Sequence, residues 1–265
     1  MAHGRIVWSA VVAEGLASDM LSRLADGLDV VLRRSDRFTP PRRLRYVPEG
    51  DYTEAGEAWL GLLRSLALVR PDERVLEVGC GAGMLARPLE RHLGPGARYV
   101  GVDDDETAIA WCQSAYRDRP DFSFELVGDL DAPELELPFL EQTFDVVVMH
   151  GTLSRLEPDA VAARLREARR LLLDEGRLFA TAYLLDEAAH ESLDDGRAAI
   201  AFAAAAGQGA GARAEHLGEA VHAIDEEWLL DRVAESGFKT VGIRHGSWTP
   251  REGAKAFPDI LVARL

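Results

Sequence analysis

Cysteine and lysine are nearly missing from this chain and long apolar runs are missing altogether, and each gap removes a class of function. Cys80 and Cys112 are the two cysteines in 265 residues, too few for a thiolate zinc site or a disulfide scaffold. No metal is expected, and a reducing cytoplasm is the expected location. No stretch reaches the roughly 20 apolar residues that a membrane-spanning helix needs. The run Ile6–Val12 is too short for a secretory leader and is soon followed by Glu14 and Asp19. Bases are also scarce against acids: 30 Lys+Arg face 45 Asp+Glu, a formal charge of −15, and Lys239 and Lys255 are the two lysines. A nucleic-acid interface neutralises phosphates with a basic stripe, so DNA and RNA are not expected as the main substrate. Arg33, Arg34, Arg37, Arg42, Arg43 and Arg45 do concentrate base locally, but they read better as a solvated connector.

An apolar share of 47% at this length supports one α/β domain with a sizeable core. Leu16, Met20, Leu21, Leu24, Leu28 and Val31 recur at helical spacing, and Thr39-Pro40-Pro41 stops that helix. A second helix from Thr53 to about Leu68 completes a lead-in, or cap, over residues 1–70. From 71 onward strands and helices alternate. Strands are expected at 74–78, 98–102, 122–127, 144–149 and 177–185, and helices at 84–92, 105–117 and 158–173, the last stopped at Gly176. Phe144–Met149 is apolar in the manner of a parallel strand covered on both faces. Residues 186–224 break the rhythm. Their Ala/Gly-rich centre carries little bulk and reads as an excursion above the sheet that orders on a ligand. A helix over 225–236, capped by Asp225, resumes the pattern. Strands 239–244 and 259–263 are joined too closely for a parallel crossover, so they pair antiparallel. The fold class is a doubly wound, mostly parallel α/β sheet with helices on both faces, forming one domain over 71–265.

Four strand tips carry chemistry. Val75-Leu76-Glu77-Val78-Gly79-Cys80-Gly81-Ala82-Gly83 runs an apolar strand into an acid and then into glycines two apart. Glycine there permits a tight turn and close approach of a ligand to the backbone. Dinucleotide enzymes space this turn G-x-G-x-x-G to seat a pyrophosphate, whereas here it is G-x-G-x-G. A charged Glu77 would repel pyrophosphate and tolerate a cationic sulfonium. Asp103, 24 residues beyond Gly79, ends the second strand, where a carboxylate can accept both ribose hydroxyls of an adenosine. Asp129, followed by Leu130, ends the third strand and can accept from an adenine amino group. His150 follows the fourth.

These motifs, in this order, resemble the class I S-adenosylmethionine-dependent methyltransferases from Arg74 to about Leu185. The resemblance implies S-adenosylmethionine as cofactor and strand order 3-2-1-4-5-7-6 with the seventh antiparallel. It implies cofactor contacts from Glu77, Gly79, Gly81, Gly83, Asp103, Asp104, Asp129, Leu130 and His150. Gly50-Asp51-Tyr52, Trp111-Cys112-Gln113, Glu227-Trp228-Leu229 and His245-Gly246-Ser247-Trp248 look like a bacterial subgroup serving glycan and natural-product pathways. Two departures stand out: Asp104 occupies a position that is usually apolar, and Arg155 one where the subgroup more often has His.

The expected activity is methyl transfer to an O or N atom of a small-molecule acceptor. His150 and His245 are the candidate catalytic bases, and each has a bland alternative as cofactor lining or surface histidine. His150, if a base, should titrate near 6.5. His216 and His222 could line an acceptor site, and Tyr46 and Tyr52 could close over the cofactor or simply pack. A catalytically silent fold acting as a partner subunit and a nicotinamide-dependent oxidoreductase stay as alternatives, and a homodimer stays open.

Overall fold

A computed structural model describes residue 26 and residues 36–45, 52–203, 211–216 and 219–265. The helix expected over 16–31 lies outside these residues but for Asp26, as does Tyr46. Helix α1 (Tyr52–Leu62) runs directly into a π-helical turn, Leu63–Ala67, and stops at Leu68 in the left-handed conformation. Alternation follows: β1 (Arg74–Val78), α2 (Ala86–His92), β2 (Arg98–Asp103), α3 (Glu106–Ala115), β3 (Phe122–Leu126), β4 (Phe144–Met149), α4 (Pro158–Leu171) and β5 (Leu172–Leu185). The chain closes with α5 (Glu187–Asp194), β6 (Ala212–His216), β7 (Glu219–Asp225), α6 (Glu226–Glu235), β8 (Lys239–Arg244) and β9 (Asp259–Arg264).

Strands β3, β2, β1, β4 and β5 lie side by side and parallel. β9 adds antiparallel to β5, and β8 antiparallel to β9. This is the expected order, the family's seventh strand being β9, but the sheet has nine described strands where seven were expected, because β7 and β6 add at the end of β5. Successive residues of β1 feed opposite faces: Leu76 packs with Leu165 of α4 and Leu229 of α6, while Val75 packs with Leu63, Leu89 and Ile109 on the other side. Both faces are therefore apolar, as a sheet sandwiched by helices requires. Asp105, Asp186 and Asp225 cap α3, α5 and α6 by accepting backbone N–H bonds.

Two expectations need correction. Residues 186–224 are more than an excursion above the sheet: α5 and the β6–β7 hairpin lie within them, and β7 pairs parallel with Tyr183–Leu185 at the end of β5, while residues 204–210, most of the low-bulk centre, lie outside the described residues. Ile200, Phe202, Ala212 and Val221 pack with Tyr183, Leu185 and Trp248 into a small core of their own. The second concerns Gly176, which does not stop α4. The helix ends at Leu171, Leu172 already pairs with Phe144, and the register then jumps so that Val146 pairs with Arg177. Asp174–Gly176 is thus an irregularity inside β5.

Candidate active site

The carboxyl ends of β1 to β5, β7 and β8 share one edge of the sheet, where ligands bind in open α/β folds. At the tip of β1, Gly79, Gly81 and Gly83 all have positive φ (77°, 49° and 76°), conformations that favour glycine. A Cβ on Gly79 would come within 2.5 Å of Thr152 Oγ1. Gly79 and Cys80 donate to the Val102 carbonyl, and Gly81 N–H donates to Asp103 Oδ2 at 2.6 Å. Asp105 N–H donates to the other carboxylate oxygen of Asp103 at 2.9 Å. Two backbone amides therefore aim this carboxylate, leaving further lone pairs for hydroxyl donors. Burial pushes the Asp103 pKa up and Asp104 adds to that, while the two amides work against both.

Glu77 behaves differently from expectation. Its carboxyl is buried and accepts a hydrogen bond from Tyr99 Oη. Burial pushes its pKa up to about 8, opposed by the tyrosine bond and reinforced by Asp103. A group that is neutral at pH 7 cannot repel a pyrophosphate by charge, so that part of the sequence argument is withdrawn for a physical reason. Cys80 and Cys112 are free thiols that both donate to the Gly81 carbonyl at 3.6 Å. Burial pushes both pKa values up, so neither is a thiolate nucleophile. Tyr52 is buried, its hydroxyl donating to the Ala82 carbonyl at 3.0 Å; it braces the glycine turn.

Asp104 Oδ2 accepts from Leu130 N–H at 3.0 Å, tying the β2 tip to the loop after β3. That bond gives the unusual acid a structural purpose. Leu130 is buried beneath the loop, and Asp129 is exposed, accepting from Asp131 N–H at 2.9 Å. The loop after β4 is fixed from both sides. Thr152 Oγ1 donates to the Val78 carbonyl (2.6 Å), and Gly151 N–H donates to Thr181 Oγ1 (2.8 Å). His150 stands at its start with its ring against Trp59 of α1, centroids 4.1 Å apart. The imidazole keeps a partly open edge, yet protein packs around most of it, and that loss of water pushes its pKa down to about 4. The expected titration near 6.5 is corrected accordingly. Sequence reasoning missed Trp59 and Thr152; neither carries a local signal, since each acts only across elements.

His245 lies elsewhere. β4, β5, β9 and β8 are successive neighbours, so His150 and His245 stand three strand spacings apart, about 14 Å at the usual ~4.8 Å per step. His245 Nδ1 faces Glu226 Oε2 and Asp259 Oδ1, each at 3.7 Å, and its Nε2 faces Asp186 Oδ2 at 4.0 Å. Asp259 is occupied by N–H groups of Leu184, Gly246 and the Trp248 indole, and Asp186 by the Arg251 guanidinium. Among the described residues, Asp186, Glu226 and His245 are the group with metal-ligand spacing, their ligand atoms lying within 4.8 Å of one another. His216 stacks on Phe257 and His222 faces Glu157, neither beside His150. Among the described residues no helix is long and apolar enough to cross a membrane.

Fold and edge together define an open α/β sheet of the Rossmann-like type with a ligand-compatible carboxyl edge. Comparison sharpens this: residues 75–176 match the family described as Methyltransferase domain. Ribosomal protein L11 methyltransferase of Ralstonia nicotianae is 40% identical over 108 residues, 40% of this chain and 33% of that protein. tRNA N(3)-cytidine methyltransferase of Gallus gallus is 30% identical over 111 residues, 42% of this chain and 30% of that protein. The structure of Burkholderia thailandensis 1,6-didemethyltoxoflavin-N1-methyltransferase, with its substrate and S-adenosylhomocysteine bound, aligns over 96% of this chain and 89% of its own. Its TM-score is 0.50 at 22% identity. The chain spans a third to just under half the length of the curated relatives it matches first. Residues 75–176 are thus similar to methyltransferase domains, and the solved structures that share this fold include S-adenosylmethionine-dependent enzymes. The residues present fit that cofactor: the glycine turn is a cradle that a Cβ at Gly79 would disrupt, and Asp103 is aimed with acceptor capacity to spare.

Proposed function

We propose that the chain moves a methyl group from S-adenosylmethionine to an O or N atom of a small-molecule acceptor, residues 1–70 serving as its cap. The observation that carries this reading is a backbone-built ligand turn, locked to Asp103, beside a neutral imidazole at the next strand tip. When bound, the cofactor supplies an electrophilic methyl on a sulfonium. Gly79, Gly81 and Gly83 would let its amino-acid end lie on the backbone, Asp103 would accept from the ribose hydroxyls, and Asp129 with Leu130 would meet the adenine. His150, unprotonated above about pH 4, can accept a hydrogen bond from an acceptor hydroxyl or amine and turn its lone pair toward the methyl. Trp59 fixes the plane of that imidazole. Holding the reacting atoms in line provides much of the rate in such a displacement, and proton acceptance adds where the acceptor is a hydroxyl.

Charge favours a small acceptor over RNA, because a chain at −15 lacks the excess of base that phosphate contacts need. The Burkholderia enzyme, whose acceptor is small, aligns along nearly the whole chain, which supports the same reading. Calorimetric titration with S-adenosylhomocysteine and with NADH tests the cofactor half, with heat expected from the first alone. Mass spectrometry of an acceptor panel tests the other half. Methylation of tRNA or protein with every small acceptor untouched would defeat the small-molecule reading, and binding without any turnover would favour the silent-subunit alternative.

A further inference from the structure

A cavity of about 400 Å³ opens between the C-terminal end of α1 with the π-turn after it and the loop joining β8 to β9. Its apolar wall is Leu62, Leu66, Ile243 and Ile260, and its charged rim is Arg244, Arg251, Lys255 and Glu252, with His245 beside them. We propose that this cavity holds an anionic group, a carboxylate or a phosphate, carried by the acceptor on an apolar body; the proposal rests on the methyl-transfer reading above.

The sign of the charge is the first argument. Acids outnumber bases 45 to 30 along the chain, and its arginines usually meet carboxylates, as Arg87, Arg119, Arg170 and Arg177 do. Two of the three rim cations depart from this. Among the described residues Arg244 donates to the Ile243 carbonyl and has no carboxylate partner, and Lys255 has none either. Both are exposed at the cavity mouth. Arg251 is held by Asp186 and donates from Nε to Thr249 Oγ1 at 3.0 Å, so its guanidinium is oriented before any ligand arrives. Fixed guanidinium and free ammonium groups suit a planar or tetrahedral oxyanion.

Position is the second argument. Trp59, which packs on His150, and Leu62 and Leu66, which line the cavity, belong to one continuous helical segment. At 1.5 Å per residue, Leu62 and Leu66 lie roughly 5 and 10 Å along it from Trp59. An acceptor reaching both places would carry its anion roughly 10–15 Å from the methylated atom, three strand steps separating His150 from the rim beside His245. The segment changes to a π-turn at Leu63–Ala67 where it meets the cavity, a rare feature that concentrates at functional sites.

The test titrates the full chain with benzoate, phenyl phosphate and inorganic phosphate, and in a separate arm with S-adenosylhomocysteine. The wild type should bind benzoate or phenyl phosphate weakly, at about 1 mM or tighter for so few contacts, and whichever is tighter identifies the oxyanion. Inorganic phosphate should bind more weakly, because it cannot use the apolar wall. The Arg244→Gln/Lys255→Met double variant, altered at two exposed positions, should lose about tenfold or more of the aromatic-anion affinity and keep the S-adenosylhomocysteine affinity. Wild-type protein that ignores both aromatic anions, or a double variant that binds them equally well, overturns the proposal. Failure of S-adenosylhomocysteine to bind defeats the methyltransferase reading instead, and the anion arm reports on the cavity regardless.

Discussion

The two halves of the carboxyl edge are built from different materials. At the tips of β1 to β3 the ligand surface is mostly backbone: three glycines in positive φ, and acids held by amide N–H groups of Gly81, Asp105 and Leu130. At the tips of β4, β5 and β8 it is side chains: the ring of Trp59 on His150, and the His245 cluster beside a basic rim. Backbone surfaces recognise what every enzyme of a class shares, whereas side-chain surfaces recognise what differs. On the proposed function the backbone-built half is the cofactor's and should tolerate little change in shape, while the side-chain half is the acceptor's and should set which molecule is methylated.

The largest effect should come from the acceptor half. His150→Ala is expected to lower turnover about 10²-fold or more, within the range for a proton-accepting or orienting group, while S-adenosylhomocysteine affinity changes little. Because burial holds the wild-type imidazole near pKa 4, the rate should stay flat between pH 5.5 and 8, the window in which an ordinary imidazole titrates, and fall only as pH approaches 4. Steady-state kinetics on both proteins checks this. Near-normal turnover in the variant would leave His150 as lining and remove the contrast between the halves.

The second effect concerns stability on the cofactor side. Glu77 has its pKa raised from 4.5 to about 8. Between those values the unfolded chain has lost a proton that the folded chain keeps, so stability is highest below pH 4.5 and falls as pH rises towards 8. The span is about 5 kcal/mol at most. Glu77→Gln keeps a partner for Tyr99 and should flatten this part of the pH profile in chemical denaturation. An unchanged slope would show that the carboxyl is ionised in the fold.

The contrast also explains what could be read from sequence. The strands themselves, the cap at Asp225 and the G-x-G-x-G turn were legible because periodicity and glycine conformations are local, whereas the strand order followed only from the family resemblance. The charge state of Glu77 was not legible, because it depends on the burial that only the assembled sheet and its covering helices create. Asp104 looked like a departure from its relatives, and only the three-dimensional bond to Leu130 N–H gives it a purpose. The β6–β7 hairpin escaped notice because its inward residues Ala212, Val221 and Ala223 are small and interspersed with charges. Trp59 and His150 are far apart in the chain and meet only once the sheet is wound.

Asp103 gives an intermediate effect. Removing a charge-assisted bond to a bound ribose costs about 1.5–3 kcal/mol, so Asp103→Ala should weaken S-adenosylhomocysteine binding about tenfold to a hundredfold. The Gly81 and Asp105 amides lose their acceptor as well, so thermal unfolding must be measured alongside to confirm that the fold persists. Unchanged affinity in a folded variant would reassign the carboxylate to bracing the turn.

The smallest effect separates backbone shape from side-chain contact within the cofactor half itself. If Asp104 acts by holding the Leu130 loop, what matters is an acceptor for one N–H, and its charge is incidental. Asp104→Asn keeps that acceptor and should bind S-adenosylhomocysteine within about threefold of wild type, the loss of charge on one hydrogen bond being worth under 1 kcal/mol. Asp104→Ala leaves the amide to water or unpaired, at a cost of about 1 kcal/mol, and should weaken binding roughly fivefold by loosening the loop that carries Asp129. Asp104→Leu then decides the matter. It restores the apolar character usual at this position but cannot accept from Leu130 N–H. If loop support dominates, the leucine variant should resemble the alanine one. If contact with the adenine dominates, it should bind better than wild type, and the backbone-built half of the edge would prove to depend on a side chain after all.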